Sequence, residues 1–272
     1  MFGIDIEYFY FYPNLDSMTT YNKDKIKNLF KDFNPGSLVM STWLEEKGVS
    51  RSLQKHYLKS GWLEAFGRGA YQRPGDTISW QGAIAAIQQQ TDLPVHVGAS
   101  SALSVQGFSH YLRLNQDILF LFTPHKKNMP KWFLEANWDF SIKHKQTEFL
   151  PNDLGLISFN EGNNTLNISS PERAVLECLY LAPKHLDLVE CYQLMEGLVN
   201  LKPKLLTELL VACSSIQVKR LFLYMAEKAK HQWMNFVKTE QIKLGRGNRM
   251  LTKNGVYVSK YQLSIPKELA EL

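Results

Sequence analysis

From residue 22 to residue 76 the chain is punctuated by helix stops and turn residues. Their intervals leave room for little besides three brief helices and a hairpin. Ile26, Leu29, Phe30 and Phe33 recur at i, i+3, i+4 and i+7, one face of a helix that Asn22 can cap and Asn34-Pro35-Gly36 stops. A second helix is predicted over 37–47, with Val39, Trp43 and Leu44 inward and Gly48 ending it through positive φ. Ser50 is suited to cap a third helix, 51–59. Gly61 breaks that helix. Residues 62–66 then read as a strand, Gly67-Arg68-Gly69 as a tight turn and 70–73 as a return strand, with Pro74-Gly75-Asp76 closing the unit. Three helices followed by a short hairpin is the order of a winged helix-turn-helix.

With Leu53 at the origin of the third helix's wheel, Tyr57 lies within about 40° of it, and both face inward. Arg51, Lys55 and Lys59 fall about 160°, 200° and 240° round, on the opposite face. Leu58 fits no inward stripe and is expected to pack against the segment just after the helix.

Beyond Asp76 the pattern turns mixed. Helix is predicted over 79–91, a short buried strand over 95–99, and a small-residue helix over 100–108. Strands are predicted over 118–123, 138–144 and 156–159, and Asn163-Asn164 turns the chain into another over 166–169. Ser170-Pro171-Glu172 starts a helix, serine at the cap and proline at the first helical position, and helices fill much of 171–238. The last segment alternates, with Lys253-Asn254-Gly255 read as a hairpin turn. The fold class expected is α+β: an N-terminal extension over 1–20, a winged helix-turn-helix over 21–75 and a mixed α/β domain over 76–272.

Charge is distributed unevenly. The chain carries a formal net charge of +5. Residues 21–75 hold ten Lys and Arg against five Asp and Glu, and residues 241–267 hold six against none. Two basic segments thus flank a near-neutral body, and positive fields of this kind suit a polyanion. A solvated basic surface gives the same counts.

Several chemistries leave no trace. There is no phosphate loop, no G-x-G-x-x-G, no H-E-x-x-H and no G-x-S-x-G elbow. Gly98-Ala99-Ser100-Ser101 resembles the elbow in composition and reads instead as a helix N-cap. The seven histidines show no close metal-ligand pair, His96 and His110 reading as structural or interfacial. The carboxylates make no cluster of nuclease or nucleotidyltransferase type, so neither a cofactor nor a catalytic residue is expected. Three cysteines, Cys178, Cys191 and Cys213, form no C-x-x-C pair, and their odd number fits reduced core thiols in a cytosol. No run of about 18 apolar residues exists to span a membrane. The N-terminus lacks the basic start of a secretory signal, and residues 1–17 read as an extension, an upstream start or an added edge strand.

An α-helix fits the major groove, where base edges carry a readable code. Arg51 can grip guanine at two points, and Gln54 adenine. Ser50 and Ser52 can donate to phosphate or base, while Lys55 and Lys59 suit phosphate, which positions rather than specifies. Arg68 at the hairpin tip suits the minor groove or a phosphate, Arg73 a further backbone contact, and the glycines flanking Arg68 permit close approach. Double-stranded DNA is the partner predicted from this face.

These residues also carry a likeness. Gly48-Val49-Ser50 through Gly61-Trp62-Leu63, then Gly67-Arg68-Gly69-Ala70-Tyr71, resembles the N-terminal domain of the AbiEi antitoxins. These are the antitoxin and transcriptional-regulator halves of type IV toxin–antitoxin, abortive-infection systems. The likeness runs on through Trp80-Gln81-Gly82-Ala83, Val95-His96-Val97-Gly98, Ala102-Leu103 and Gly107. It resumes at Ile168-Ser169-Ser170-Pro171-Glu172-Arg173-Ala174 and Leu244-Gly245-Arg246-Gly247-Asn248-Arg249, and closes over 261–266. The resemblance implies a winged helix that binds repeats in its own operon's promoter. It further implies a C-terminal domain that neutralises a nucleotidyltransferase toxin, with no stable complex required.

Lys243, Arg246, Arg249, Lys253 and Lys260 form a second basic patch around the C-terminal turns. They suit an extended DNA footprint, an RNA or another acidic partner, and a solvated face fits them equally. Three readings stand on sequence: a cytoplasmic bacterial repressor that counters a toxin, a nucleic-acid enzyme whose groups converge only in the fold, and a protein-interaction module. A monomer on repeated sites and a two-fold dimer both fit.

Overall fold

The computed structural model describes residues 20–31, 33, 35–108 and 118–272. The expected extension, apart from Thr20, lies outside the described residues, as do Asn34 and His110. The chain divides into two compact units. One comprises residues through Asp92 together with 130–136 and 160–164; the other holds the remainder. The pattern of the sequence alone places the boundary at 75/76.

In the first unit α1 (Thr20–Lys31) is followed by β1 (Val39–Met40), α2 (Ser41–Glu46), α3 (Arg51–Lys59), β2 (Glu64–Gly67), β3 (Ala70–Gln72) and α4 (Trp80–Gln90). Ile26, Leu29, Phe33, Val39, Leu44, Val49, Tyr57, Trp62 and Leu63 form one buried core. This is the predicted order of helices and hairpin, with three differences. Asn22 lies inside α1, which begins at Thr20. The second helix starts at Ser41, because Val39 and Met40 pair with Tyr71 and Ala70 as a third, antiparallel strand of the wing sheet. The Gln90 side chain occupies the strand's polar groups, accepting from Met40 N and donating to Leu38 O, each at 2.8 Å. Third, the hairpin's first strand runs over Glu64–Gly67 rather than 62–66, Trp62 and Leu63 joining the core ahead of it, and it carries a bulge at Phe66, where the register shifts between Ala65 and Gly67. α4 packs directly on the turn below it: a Cβ at Gly82 would lie 2.4 Å from Gly36 O. Two distant segments join this unit. A short helix over Lys131–Glu135 packs beside β2, and Gln81 donates to Glu161 at 3.1 Å.

The second unit is built on a five-stranded sheet. Its members in chain order are β4 (His96–Val97), β5 (Ile118–Thr123), β6 (Ser141–Gln146), β7 (Leu156–Glu161) and β8 (Asn164–Ser169), arranged β6-β5-β4-β8-β7. α5 (Ala99–Val105) follows β4, and the short helix of the first unit, α6, falls between β5 and β6. β6 begins at Ser141 rather than at Trp138, since its pairing with β5 starts at Ile118↔Ser141. α7 (Pro171–Leu181), α8 (Leu188–Gly197), α9 (Pro203–Ala212) and α10 (Ile216–Lys228) follow, with Ser170 capping α7 and Pro171 at its first turn, as read from sequence. Cys178, Cys191 and Cys213 are free and buried among these helices.

The chain ends in β9 (Arg249–Met250), β10 (Val256–Val258), β11 (Leu263–Ile265) and α11 (Lys267–Glu271). The turn at Lys253-Asn254-Gly255 is present, with Asn254 at φ +59°. Its flanking strands do not form the expected hairpin: β11 lies between them, antiparallel to β10 and parallel to β9. Gly255 is needed there, since a Cβ would meet Ile265 O at 2.2 Å. No helix among the described residues is long and apolar enough to cross a membrane.

Candidate nucleic-acid interface

α3 owes its start to Ser50, whose Oγ accepts from Leu53 N at 3.3 Å. That uses the hydroxyl as acceptor and leaves its proton to donate. Arg51, Ser52, Lys55 and Lys59 are exposed on the helix, and Tyr57 is buried beneath it. Burial pushes the Tyr57 phenol up to about 12, so it stays neutral. Among the described residues Lys55, Lys59 and Arg68 enter no ion pair. Arg51 does: its Nε lies 3.0 Å from Glu45 Oε1, with 72% of the Arg51 side chain still exposed. The hydrogen bond and charge of Glu45 raise the arginine's pKa. An exposed pair of this kind is weak and is given up readily to a stronger anion.

Gln54 is not on that face. It is 1% exposed, and its amide is spent inside the motif. Nε2 donates to Ser41 O and Val49 O, each at 3.0 Å, and Oε1 accepts from Ser41 Oγ at 2.6 Å. The predicted adenine contact is therefore replaced by a brace that sets α2 against α3. The inward direction of α3 lies between Tyr57 and Gln54, about 70° from the origin placed on Leu53. That rotation leaves Leu53 and Leu58 half-buried on either flank of the core.

Arg73 is also interior. Its guanidinium stacks on Phe30 and Phe33, 4.9 and 4.5 Å from the ring centroids, and NH2 donates to both their carbonyls. It closes the C-terminal end of α1, where helix carbonyls lack partners, and is unavailable for the expected phosphate contact. Arg68 remains exposed at the wing tip, between Gly67 and Gly69, the latter at φ +78°.

The second basic patch is organised by a residue that sequence pattern does not single out. Arg220, on α10, is 2% exposed and has no carboxylate partner among the described residues. Instead it donates to the carbonyls of Leu244, Gly245, Gly247 and Gln262 and to Gln262 Oε1. Burial, then the nearby Arg249 guanidinium, lowers its pKa. This anchor shapes the loop 244–249 and leaves Lys243, Arg246 and Lys253 exposed and Arg249 half-exposed. Lys260 is exposed and pairs with Glu227 at 2.5 Å, as Arg51 pairs with Glu45, and Tyr261 donates to the same carboxylate. The contacts of Lys260 and Tyr261 hold the Glu227 carboxyl below its usual range.

A further buried cluster joins two segments that carried the likeness. Glu177 on α7 accepts from His96 Nε2 and Arg173 Nε at 2.8 Å, from Ala99 N at 2.9 Å and from Ser169 Oγ at 2.7 Å. Burial pushes the carboxyl up, but the charges and hydrogen bonds of His96 and Arg173 outweigh it and hold it at about 2. A Cβ at Gly98 would lie 2.3 Å from Glu177 Oε2, so that glycine makes room for the carboxylate. The cluster is sealed from solvent and serves as the polar centre of the second unit.

Comparison with known proteins agrees with this architecture. Residues 22–114 match the family described as transcriptional regulator, AbiEi antitoxin N-terminal domain. Residues 116–266 match that described as transcriptional regulator, AbiEi antitoxin, type IV TA system. The crystal structure of the RV2827C protein from Mycobacterium tuberculosis shares the fold, with TM-score 0.56 at 15% identity over 90% of this chain and 91% of that one. No curated protein matches the chain. Matches over nearly all its length establish that the chain belongs to the AbiEi family of type IV antitoxin transcriptional regulators.

Proposed function

We propose that this regulator is a DNA-binding repressor of its own operon and the antitoxin of a nucleotidyltransferase toxin in a bacterial cytoplasm. It reads promoter repeats with α3 and the wing, carries out no catalytic step, and counters the toxin through its second unit without a stable complex. One observation supports DNA binding most: Arg51, Ser52, Lys55 and Lys59 are exposed on α3 while Gln54 and Tyr57 fix its other face in the core. On this reading Arg51 leaves Glu45 for a guanine edge, Ser50 and Ser52 donate to phosphate or base, and Lys55, Lys59 and Arg68 hold phosphates. Lys243, Arg246, Arg249 and Lys253 form a second, sequence-independent phosphate track.

Mobility shifts on the native promoter across a salt series test the proposal. Arg51→Ala should weaken specific binding roughly ten- to hundredfold and relax base preference. Charge reversal at Arg246 and Arg249 should flatten the salt dependence. Binding that ignores both changes and salt alike refutes the docking model. Co-expression with the adjacent toxin gene tests the antitoxin role; undiminished toxicity would refute it.

A further inference from the structure

The wing hairpin is not finished by its own sequence. β2 is one of the two outer strands of its three-stranded sheet, and β2 and β3 are only four and three residues long. Hairpins that short are marginal without support. The support comes from α6. A Cβ at Gly67 would lie 2.4 Å from Trp132 Cβ and 3.1 Å from its Cγ, so the β2 backbone and the tryptophan meet with no space for a methyl group. The bulge aims Phe66 at the same residue: the two rings meet edge to face, centroids 5.7 Å apart at 84°. Trp132 in turn packs edge to face on Phe133, which is fully buried and anchors α6.

Lys131 immediately precedes Trp132. Trp132 Cα lies 3.6 Å from the Gly67 Cβ position. Adding one chain step puts the Lys131 backbone within about 9 Å of Gly67 Cα. Arg68 follows Gly67. Both Lys131 and Arg68 are exposed, and neither is in an ion pair among the described residues.

We infer that the nucleic-acid-contacting wing is made of two distant segments, with Trp132 as the positioning residue that fixes the hairpin and Lys131 as an added phosphate contact beside Arg68. The inference rests on the DNA-binding reading above. Its physical content is pre-organisation: a wing held by Trp132 has less ordering left to do when Arg68 meets the duplex.

The test uses the full chain and duplex promoter DNA over a salt series. Trp132→Ala should weaken binding roughly tenfold. Trp132→Phe should recover most of that loss. In an Arg68→Ala background Trp132→Ala should add little, because both act through one contact. Lys131→Gln, a surface change that cannot unfold the core, should weaken binding on all sequences alike and make the slope of log affinity against log salt shallower by about 0.9. Additive losses for Trp132 and Arg68, or an unchanged slope for Lys131→Gln, overturn the inference while DNA binding by the native chain stands. A native chain that binds no duplex takes both readings down together.

Discussion

The two basic segments look alike in composition and are built in opposite ways. In the first unit the cations stand on a regular helix, and its own hydrophobic face decides which of them point out. In the second they sit on irregular chain, and a buried arginine from another element gives that chain its shape. The first segment also loses two of its nominated contacts to the interior, Gln54 to the carbonyls of Ser41 and Val49 and Arg73 to those at the end of α1, whereas in the second Lys260 is held only in an exposed pair with Glu227. A count of charges therefore measures the long-range field, while the partners of each charge decide which of them are available to a ligand.

Arg220→Met breaks this comparison most severely. It removes five charge-assisted hydrogen bonds to partly buried acceptors and should destabilise the second unit by roughly 3–5 kcal/mol, read as a lowered midpoint in urea. An unchanged midpoint would mean the loop shapes itself. Next comes acid. The Glu177 carboxyl is held at about 2 against an ordinary 4.5. Its contribution is thus complete above about 4.5 and is lost as pH falls from there toward 2, on the order of 3 kcal/mol. Glu177→Gln should flatten that part of the stability–pH curve; an identical curve would deny the cluster its role. Gln54→Ala should cost roughly 1–3 kcal/mol through the carbonyls of Ser41 and Val49, measured by thermal melting. A cost near zero would return Gln54 to the surface face. The smallest effects sharpen the comparison directly: Lys59→Gln and Lys253→Gln should each make the salt slope of DNA binding shallower by about 0.9. A change for Lys59 alone would confine the DNA footprint to the first unit.

Much of this fold is legible in local pattern. Ser50 and Ser170 cap helices as a serine before an apolar period predicts, and the strand Ile118–Thr123 has the bounds its β-forming residues suggest; the serine cap expected within 98–101 is instead Gly98, with Ser100 inside α5. Gln54 is misplaced by a wheel that one leucine fixes, since an error of about 70° moves a polar residue across the boundary of the core. β1 escapes local pattern because its two residues become a strand only by pairing with the wing. Arg220 and Trp132 are invisible for a related reason. Nothing near an arginine in sequence marks it as buried when its acceptors lie on a later loop, and nothing near residue 132 points to a glycine at 67. The charged face of α3 is readable because one helix contains it all.

The first unit is assembled from three separate stretches of chain, the last ending at residue 164. During synthesis, then, the core residues 26–63 of this unit leave the ribosome well before the later stretches that complete it. A gene fragment stopped after residue 92 would encode the helices and the wing without the tryptophan that lies against it. On the proposed DNA-binding role, such a fragment should bind duplex more weakly than the whole polypeptide.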